Sequence, residues 1–170
     1  MILSGEEIKK QVELGSISIY PFDERFLNPN SYDLHLGNDL ITVNDYEIDM
    51  RYGSIDHSFI DIPKEGIVLK PGCLYLASTM QWTETKGFVP MIEGRSSIGR
   101  MGLLIHVSAG FGDNGFKGKW TLELVATRPI RIYAGERVCQ IFYHTIDGDQ
   151  TLYNGGYSGK TTAAVSKGSL

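Results

Sequence analysis

The sequence has little cysteine. Cys73 and Cys139 are its only two, well apart in the chain. Such a pair is no disulfide framework, and both lie in apolar runs, so buried, reduced thiols of a cytosolic protein are expected. Positive charge is not in excess either. Sixteen Lys and Arg stand against 20 Asp and Glu, for a formal net charge of −4. The whole-molecule field favours neither nucleic acid nor an acidic membrane, so any anionic ligand must be held by a local cluster. Long apolar runs are missing too. The opening residues, M-I-L-S-G-E-E-I-K-K, turn acidic at once and form no signal core. The expectation is a cytoplasmic protein with no nucleic-acid partner and no membrane partner.

Metal chemistry lacks its usual signatures. His35, His57, His106 and His144 are scattered, and C-x-x-C, H-E-x-x-H and H-x-E with a later P-C-x-x-C are all missing. No metal-ligand set is expected, and zinc-type base deamination is excluded on motif grounds. The histidines read as surface or hydrogen-bonded core residues. No nucleophile elbow is present. Two phosphate motifs fail on context. Residues 110–115 match G-x-G-x-x-G, but F-K-G-K-W-T-L-E-L follows and alternates as a strand, where a dinucleotide site needs a helix. G-Y-S-G-K-T at 156–161 lacks the P-loop spacing, a preceding strand and a following helix.

What is present is glycine, 20 residues of it, in a chain of 170 that is 42% hydrophobic and 21% charged. That suits one soluble domain of many short strands and tight turns. Ser4 with Glu7 reads as a capping box, with Leu3 and Ile8 at the staple positions and Gly15 as a stop. A short helix over residues 4–14 follows. After it the period changes to two. Residues 32–36 alternate, and Gly37-Asn38 is expected to turn the chain back into 40–43. Further strands are expected at 59–62, 67–70, 73–78, 88–93, 103–107, 120–127, 130–133 and 137–143, with turn residues between them. This pattern argues a sandwich or jelly roll. The domain is drawn as residues 1–152. Residues 153–170 are rich in Gly, Ser and Thr: a disordered end on one reading, a flap that orders over a ligand on the other.

Two segments carry chemistry. E-G-R-S-S-I-G-R-M-G, residues 93–102, sits between two strand-like runs. A short helix over about 96–101 puts Ser96 and Arg100 on one face, with Arg95 at its N-terminus, a combination suited to a phosphate chain. In K-W-T-L-E-L, strand period places Trp120, Leu122 and Leu124 on one face and Thr121 and Glu123 on the other. Glu123 either lies on an edge strand in water or is partly buried beside Arg100, set for proton transfer.

The block from E-G-R-S-S-I-G-R-M-G through H-V-S-A-G-F-G-D-N-G-F to K-W-T-L-E-L strongly resembles the dCTP deaminase family of the dUTPase-like superfamily. M-I-L-S, N-P-N-S-Y-D-L-H-L-G and Y-A-G-E-R-V-C-Q-I-F-Y resemble it too. The resemblance implies a mainly β, distorted jelly-roll fold, the dUTPase-like β-clip, with a short N-terminal helix and one short internal helix. It implies a homotrimer with active sites between subunits. It implies zinc-independent hydrolysis of dCTP to dUTP and ammonia as the main reading. Glu123 would be the general base and acid, Ser96 and the carbonyl of Ala109 would position water, and Arg100 would pair with Glu123. Nucleotide contacts would come from Arg95, Ser96, Ser97, Ile98, Gly99 and Arg100, from Asp113 to the 3′-hydroxyl, from Thr121, Leu122, Glu123 and Gln140 around base and sugar, and from Tyr153 and Lys160 in the tail. Mg²⁺ would ride on the triphosphate, and dTTP is a family expectation as feedback inhibitor.

Alternatives are a bifunctional enzyme forming dUMP and pyrophosphate, a pure dUTPase, and a non-catalytic nucleotide-binding jelly-roll module. Gly110 stands where single-function members often carry His. Ala109-Gly110 followed by Phe111 resembles the bifunctional pattern, while G-F-G-D lacks its apolar residue before the Asp. Ser108 replaces a usual Thr, and the tail keeps Tyr153, Tyr157 and Lys160 in compressed spacing.

Overall fold

The computed structural model describes residues 1–45, 47–49, 51, 55–106 and 108–166. The end of the expected strand at 103–107 and of the expected tail at 153–170 thus lie outside the described residues. The chain runs through α1 (Gly5–Leu14), β1 (Ile17–Tyr20), a 3-10 turn (Glu24–Phe26), β2 (Tyr32–Val43), β3 (His57–Asp61), β4 (Ile67–Leu69), β5 (Leu74–Thr79) and β6 (Trp82–Thr85). It continues through β7 (Phe88–Gly94), α2 (Ser96–Arg100), β8 (Leu103–Ile105), β9 (Lys117–Gly118), β10 (Thr121–Ala126), β11 (Ile130–Ile132) and β12 (Arg137–Thr145). The fold is mainly β with two short helices, and no described helix is long and apolar enough to cross a membrane.

Helix α1 forms where its caps dictate. Ser4 Oγ accepts from the Glu7 N–H at 3.2 Å, and Gly15 ends the helix in the left-handed region at φ 76°. Such an N-cap contributes about 1 kcal/mol. The Glu7 carboxylate accepts instead from Gln11, so only half of the capping box is made. Leu3 and Ile8 are both buried and staple the helix to the core.

The main sheet runs β7-β12-β2-β5-β10-β8, with β3 also against β2. Strand β2 is twelve residues long. Its first part pairs with β12 and its second with β3 and β5. The expected reversal at Gly37-Asn38 does not occur. These residues sit at a register irregularity against β5, between Leu36 and Leu40, and the strand runs through. Gly and Asn mark a bulge as readily as a turn. Strands β1, β6 and β9 were not foreseen; they form a separate three-stranded sheet. Each is short, and T-E-T in β6 is too polar to read as a strand by alternation of apolar residues.

The two ends of the main sheet meet. Ile92 N–H donates to Gly110 O at 2.8 Å, Gly112 N–H donates to Pro90 O at 2.9 Å, and Met91 bridges Phe111. The residues that follow β8 therefore lie along β7, at the opposite end of the sheet order. The nearly closed sheet encloses Tyr32, Leu34, Ile92, Leu122, Leu124, Ile141 and Tyr143, all fully buried. Each large apolar side chain so placed contributes about 1.5–3 kcal/mol. Cys139 joins this core, and burial pushes its thiol well above the ordinary range. Cys73 does not join it. It is exposed at the Pro71-Gly72 turn before β5, which corrects the expectation of two buried thiols.

Candidate active site

Strand β10 lies between β5 and β8, so Glu123 is not on an edge strand. Alternation sends Leu122 and Leu124 into the core and Thr121 and Glu123 to the other face, half-buried. The register of β8 on β10 carries His106 opposite Glu123, and His106 N–H donates to Glu123 O at 2.9 Å. His106 then leaves the strand with φ 56°, the one non-glycine among the described residues with positive φ. That conformation costs about 1–3 kcal/mol and recurs at functional sites. The bend brings His106 Nδ1 to 3.0 Å from Glu123 Oε2. The two atoms are not aligned for a hydrogen bond. Both imidazole nitrogens and this carboxylate oxygen therefore lack a hydrogen-bond partner among the described residues. Buried polar atoms left so are uncommon. The imidazole meets the Trp120 ring edge-on, with centroids 6.3 Å apart.

Glu123 and His106 open onto a cavity of about 480 Å³, a size suited to a small-molecule ligand. Its walls are largely aromatic and aliphatic, with Phe111, Phe116, Trp120 and Tyr153 among them. Asp113, Lys119, Thr121 and Lys160 supply polar groups, and Ala109 is at the rim. Trp120 is fixed by donation from Nε1 to Thr83 Oγ1 at 2.9 Å and stacks obliquely on Phe116.

Residues 108–112 are shaped by close backbone approach. A Cβ on Gly110 would overlap the Ile92 carbonyl oxygen, and one on Gly112 would overlap the Trp120 ring and stand 2.8 Å from Pro90 O. An apolar residue before Asp113 has no room here, which accounts for G-F-G-D. Phe111, between the glycines, is 65% exposed at the cavity mouth.

The tail lies along this wall. Tyr153 N–H donates to Asn114 O at 2.7 Å, Gly159 N–H to Lys117 O at 2.7 Å, Lys119 N–H to Lys160 O at 2.9 Å and Ala164 N–H to Thr121 Oγ1 at 3.0 Å. Ala163 packs against Ile41 and Leu76, and its N–H donates to Asp39 Oδ2 at 2.6 Å.

The remaining sequence-derived candidates stand elsewhere. Ser96, Ser97, Ile98, Gly99 and Arg100 form α2, packed beside β8, and none of them, nor Arg95, lines the Glu123 cavity. The side chain beside the Glu123 carboxylate is His106, at 3.0 Å, not Arg100. Gln140 sits on β12 opposite Asp33 and accepts from Ser31 Oγ at 2.8 Å. Arg95, the residue before α2, meets the buried carboxylate of Asp33. One chain thus gathers Ala109, Asp113, Thr121, Glu123, Tyr153 and Lys160 at one place, and Arg95 and Gln140 at another. Leu122 faces the core.

Sequence reasoning did not place His106 beside Glu123. The signal for His106 was available: it interrupts an apolar strand-like run just before the Gly-rich loop. Among the described residues no group of three or more His, Cys, Asp or Glu converges on a point where a metal could bind.

The comparisons with known proteins follow this geometry. The pattern of the family described as dCTP deaminase-like matches residues 2–146. A protein of Leptospira biflexa serovar Patoc named "dCTP deaminase, dUMP-forming" is 52% identical over 157 residues, 92% of this chain and 88% of that protein. One of Clostridium acetobutylicum with the same name is 54% identical over 157 residues, 92% of this chain and 89% of its own length. Among solved structures, 2′-deoxycytidine 5′-triphosphate deaminase from Agrobacterium tumefaciens superposes with TM-score 0.66 at 22% identity, over 85% of this chain. The chain spans about half of that protein, 48%. A mutant dUTPase of Staphylococcus bacteriophage 80alpha, solved with dUpNHpp, gives TM-score 0.50 at 14% identity, over 84% of this chain and 98% of that one. These two structural likenesses show a dUTPase-like fold.

The relatives' names overturn one expectation. The main reading ended at dUTP and ammonia, whereas these proteins are dUMP-forming. The G-F-G-D departure had weighed against the dUMP-forming reading, yet its second glycine is accounted for by packing against Trp120 and Pro90. With the nearly closed sheet, the cavity on β10 and a match over residues 2–146, this chain belongs to the dCTP deaminase-like family.

Proposed function

We propose that this chain hydrolyses dCTP to dUMP, ammonia and pyrophosphate, consuming two waters. The observation that carries the reading is the Glu123 carboxylate, 3.0 Å from His106, on the wall of an aromatic cavity. A largely apolar pocket with a few polar groups suits a pyrimidine nucleoside. The relatives named dUMP-forming supply the second half of the reaction.

In this reading Glu123 takes a proton from water as the oxygen attacks C4 of cytosine. It then delivers protons to the ring and to the leaving amine, so that the C4–N bond breaks and ammonia departs. The carbonyl of Ala109 and the hydroxyl of Ser96 hold the attacking water. The unaligned His106 imidazole is free to hydrogen-bond that water or the carboxylate as charge develops. Asp113 accepts from the 3′-hydroxyl, and Thr121 lines the sugar pocket. A second water then attacks the α-phosphorus and pyrophosphate leaves.

Arg95, Ser96, Ser97 and Arg100 serve the triphosphate. They are separate from the Glu123 cavity in one chain, so a homotrimer in which α2 of one copy meets β10 of the next completes the site. Tyr153 and Lys160 then close it. Carried on the triphosphate, Mg²⁺ would shield phosphate charge, held by the nucleotide rather than by a set of side chains of this chain. Competition by dTTP for the same cavity fits its shared deoxyribose and triphosphate.

The test is a product assay. The full chain is incubated with dCTP and Mg²⁺ while ammonia is measured and phosphates are followed by phosphorus NMR. Equal amounts of ammonia, dUMP and pyrophosphate are expected. Accumulation of dUTP without pyrophosphate, or no ammonia, overturns the reading.

A further inference from the structure

Asp33 is the anion at the centre of a second cluster. It lies on β2 between fully buried Tyr32 and Leu34, and its side chain is only 3% exposed. Both oxygens are engaged. Oδ1 stands 3.2 Å from Arg95 Nε and accepts from Asn28 Nδ2 at 3.0 Å, and Oδ2 accepts from Arg137 Nη1 at 3.3 Å. Each guanidinium has a second anchor. Arg95 Nη1 donates to Arg137 O at 3.4 Å, and Arg137 lies 5.8 Å from the Phe26 ring centroid. Both cations still reach solvent, with side chains 26% and 45% exposed.

As a device for stability this triad is weak, since well-packed apolar residues do as well in such places. It does achieve something apolar residues cannot. One carboxylate beneath two guanidiniums leaves the triad with a net positive charge. It also fixes two planar donor groups whose side-chain freedom would otherwise be lost on binding. They stand beside α2, where the reading above places the phosphate chain.

We propose that Asp33 is a positioning residue that holds Arg95 and Arg137 as a paired clamp for the nucleotide's triphosphate, with Arg137 as an added phosphate-binding residue. The proposal rests on the dCTP reading for the identity of the ligand. Asp33 touches neither the base nor the reacting atoms, so its loss weakens phosphate binding and leaves the chemical step in place.

The experiment uses the full chain and its Asp33→Asn and Arg137→Gln variants. Inorganic tripolyphosphate binding is measured by calorimetry, and kcat and KM for ammonia release from dCTP are measured beside thermal unfolding. For Asp33→Asn, Kd for tripolyphosphate and KM for dCTP each rise about tenfold while kcat stays within about twofold, the scale of losing one or two charge-assisted contacts. Arg137→Gln raises both by roughly fivefold. A folded Asp33→Asn variant with unchanged Kd, or one that loses kcat at constant KM, overturns the proposal. Should Asp33→Asn fail to fold, Arg137→Gln decides: unchanged Kd there overturns it equally. A wild-type chain that binds tripolyphosphate but releases no ammonia defeats the dCTP reading and leaves the comparison between variants standing.

Discussion

Glu123→Gln is the most discriminating substitution. The amide keeps the shape of the carboxylate on β10, whose backbone is fixed between β5 and β8. The cavity keeps its lining, and the Glu123 carbonyl still accepts from His106 N–H. What is lost is the proton acceptor 3.0 Å from the imidazole. General-base catalysis is worth about 10²–10⁴-fold, or roughly 3–5.5 kcal/mol of barrier. The expected outcome is therefore a fall in kcat for ammonia release of at least about 10²-fold. The KM for dCTP should stay within about threefold, since under 1 kcal/mol of ground-state binding is disturbed. Steady-state ammonia release, with dCTP binding measured by calorimetry, separates the two. A kcat within tenfold of wild type refutes the role, because a bystander carboxylate would show that result.

Two further perturbations test the surroundings. Gly110→Ala puts a methyl group onto the Ile92 carbonyl, which β7 cannot move without breaking its pairing with β12. The loop must shift and the Ile92–Gly110 hydrogen bond must lengthen, so a loss of about 1–3 kcal/mol is expected, visible as a lowered unfolding temperature. An unchanged temperature contradicts the close approach. His35 is held below its usual 6.5 by burial and then by Arg137, with Asp33 acting in the opposite sense. The folded state then binds fewer protons than the unfolded state just below pH 6.5. Stability is fully present above that pH and falls as the pH drops through the lowered value. His35→Gln should flatten this slope in denaturant titrations at several pH values; an unaltered slope refutes it.

Much of the fold was legible because most strands announce themselves by alternation. Strand β10 is the clearest case: T-L-E-L fixed which face is core and left Glu123 on the other. Helix α1 was legible from Ser4 and Gly15, and α2 from the change of pattern at Arg95. The failures share a cause. Gly37-Asn38 has the composition of a turn, and only the pairing of β2 with β5 decides that the chain runs through. Strand β1, I-S-I-Y, does alternate but is only four residues long, and β6 and β9 carry too few apolar residues for a period to register. Cys73 was assigned inward by its apolar neighbours, although a single residue beside a turn can face either way.

The site was less legible than the fold, and the loop after β8 shows why. Spacing in the sequence cannot reveal that residues 110–112 lie along β7, because that contact joins the two ends of the sheet. The same segment bends at His106 to face Glu123, carries Ala109 at the cavity rim, and exposes Phe111 at its mouth. Closure of the sheet and construction of the cavity are therefore one event. The left-handed turn at His106 is tolerated because the hydrogen bonds to Ile92 and Pro90 anchor the loop beyond it. Strain placed between two fixed strands holds a geometry that a free loop would abandon. The G-x-G-x-x-G match, rejected as a phosphate cradle because a strand follows it, has a packing role instead. Its first two glycines serve close packing against Ile92 and Trp120, and in doing so they present the groups that face the cavity.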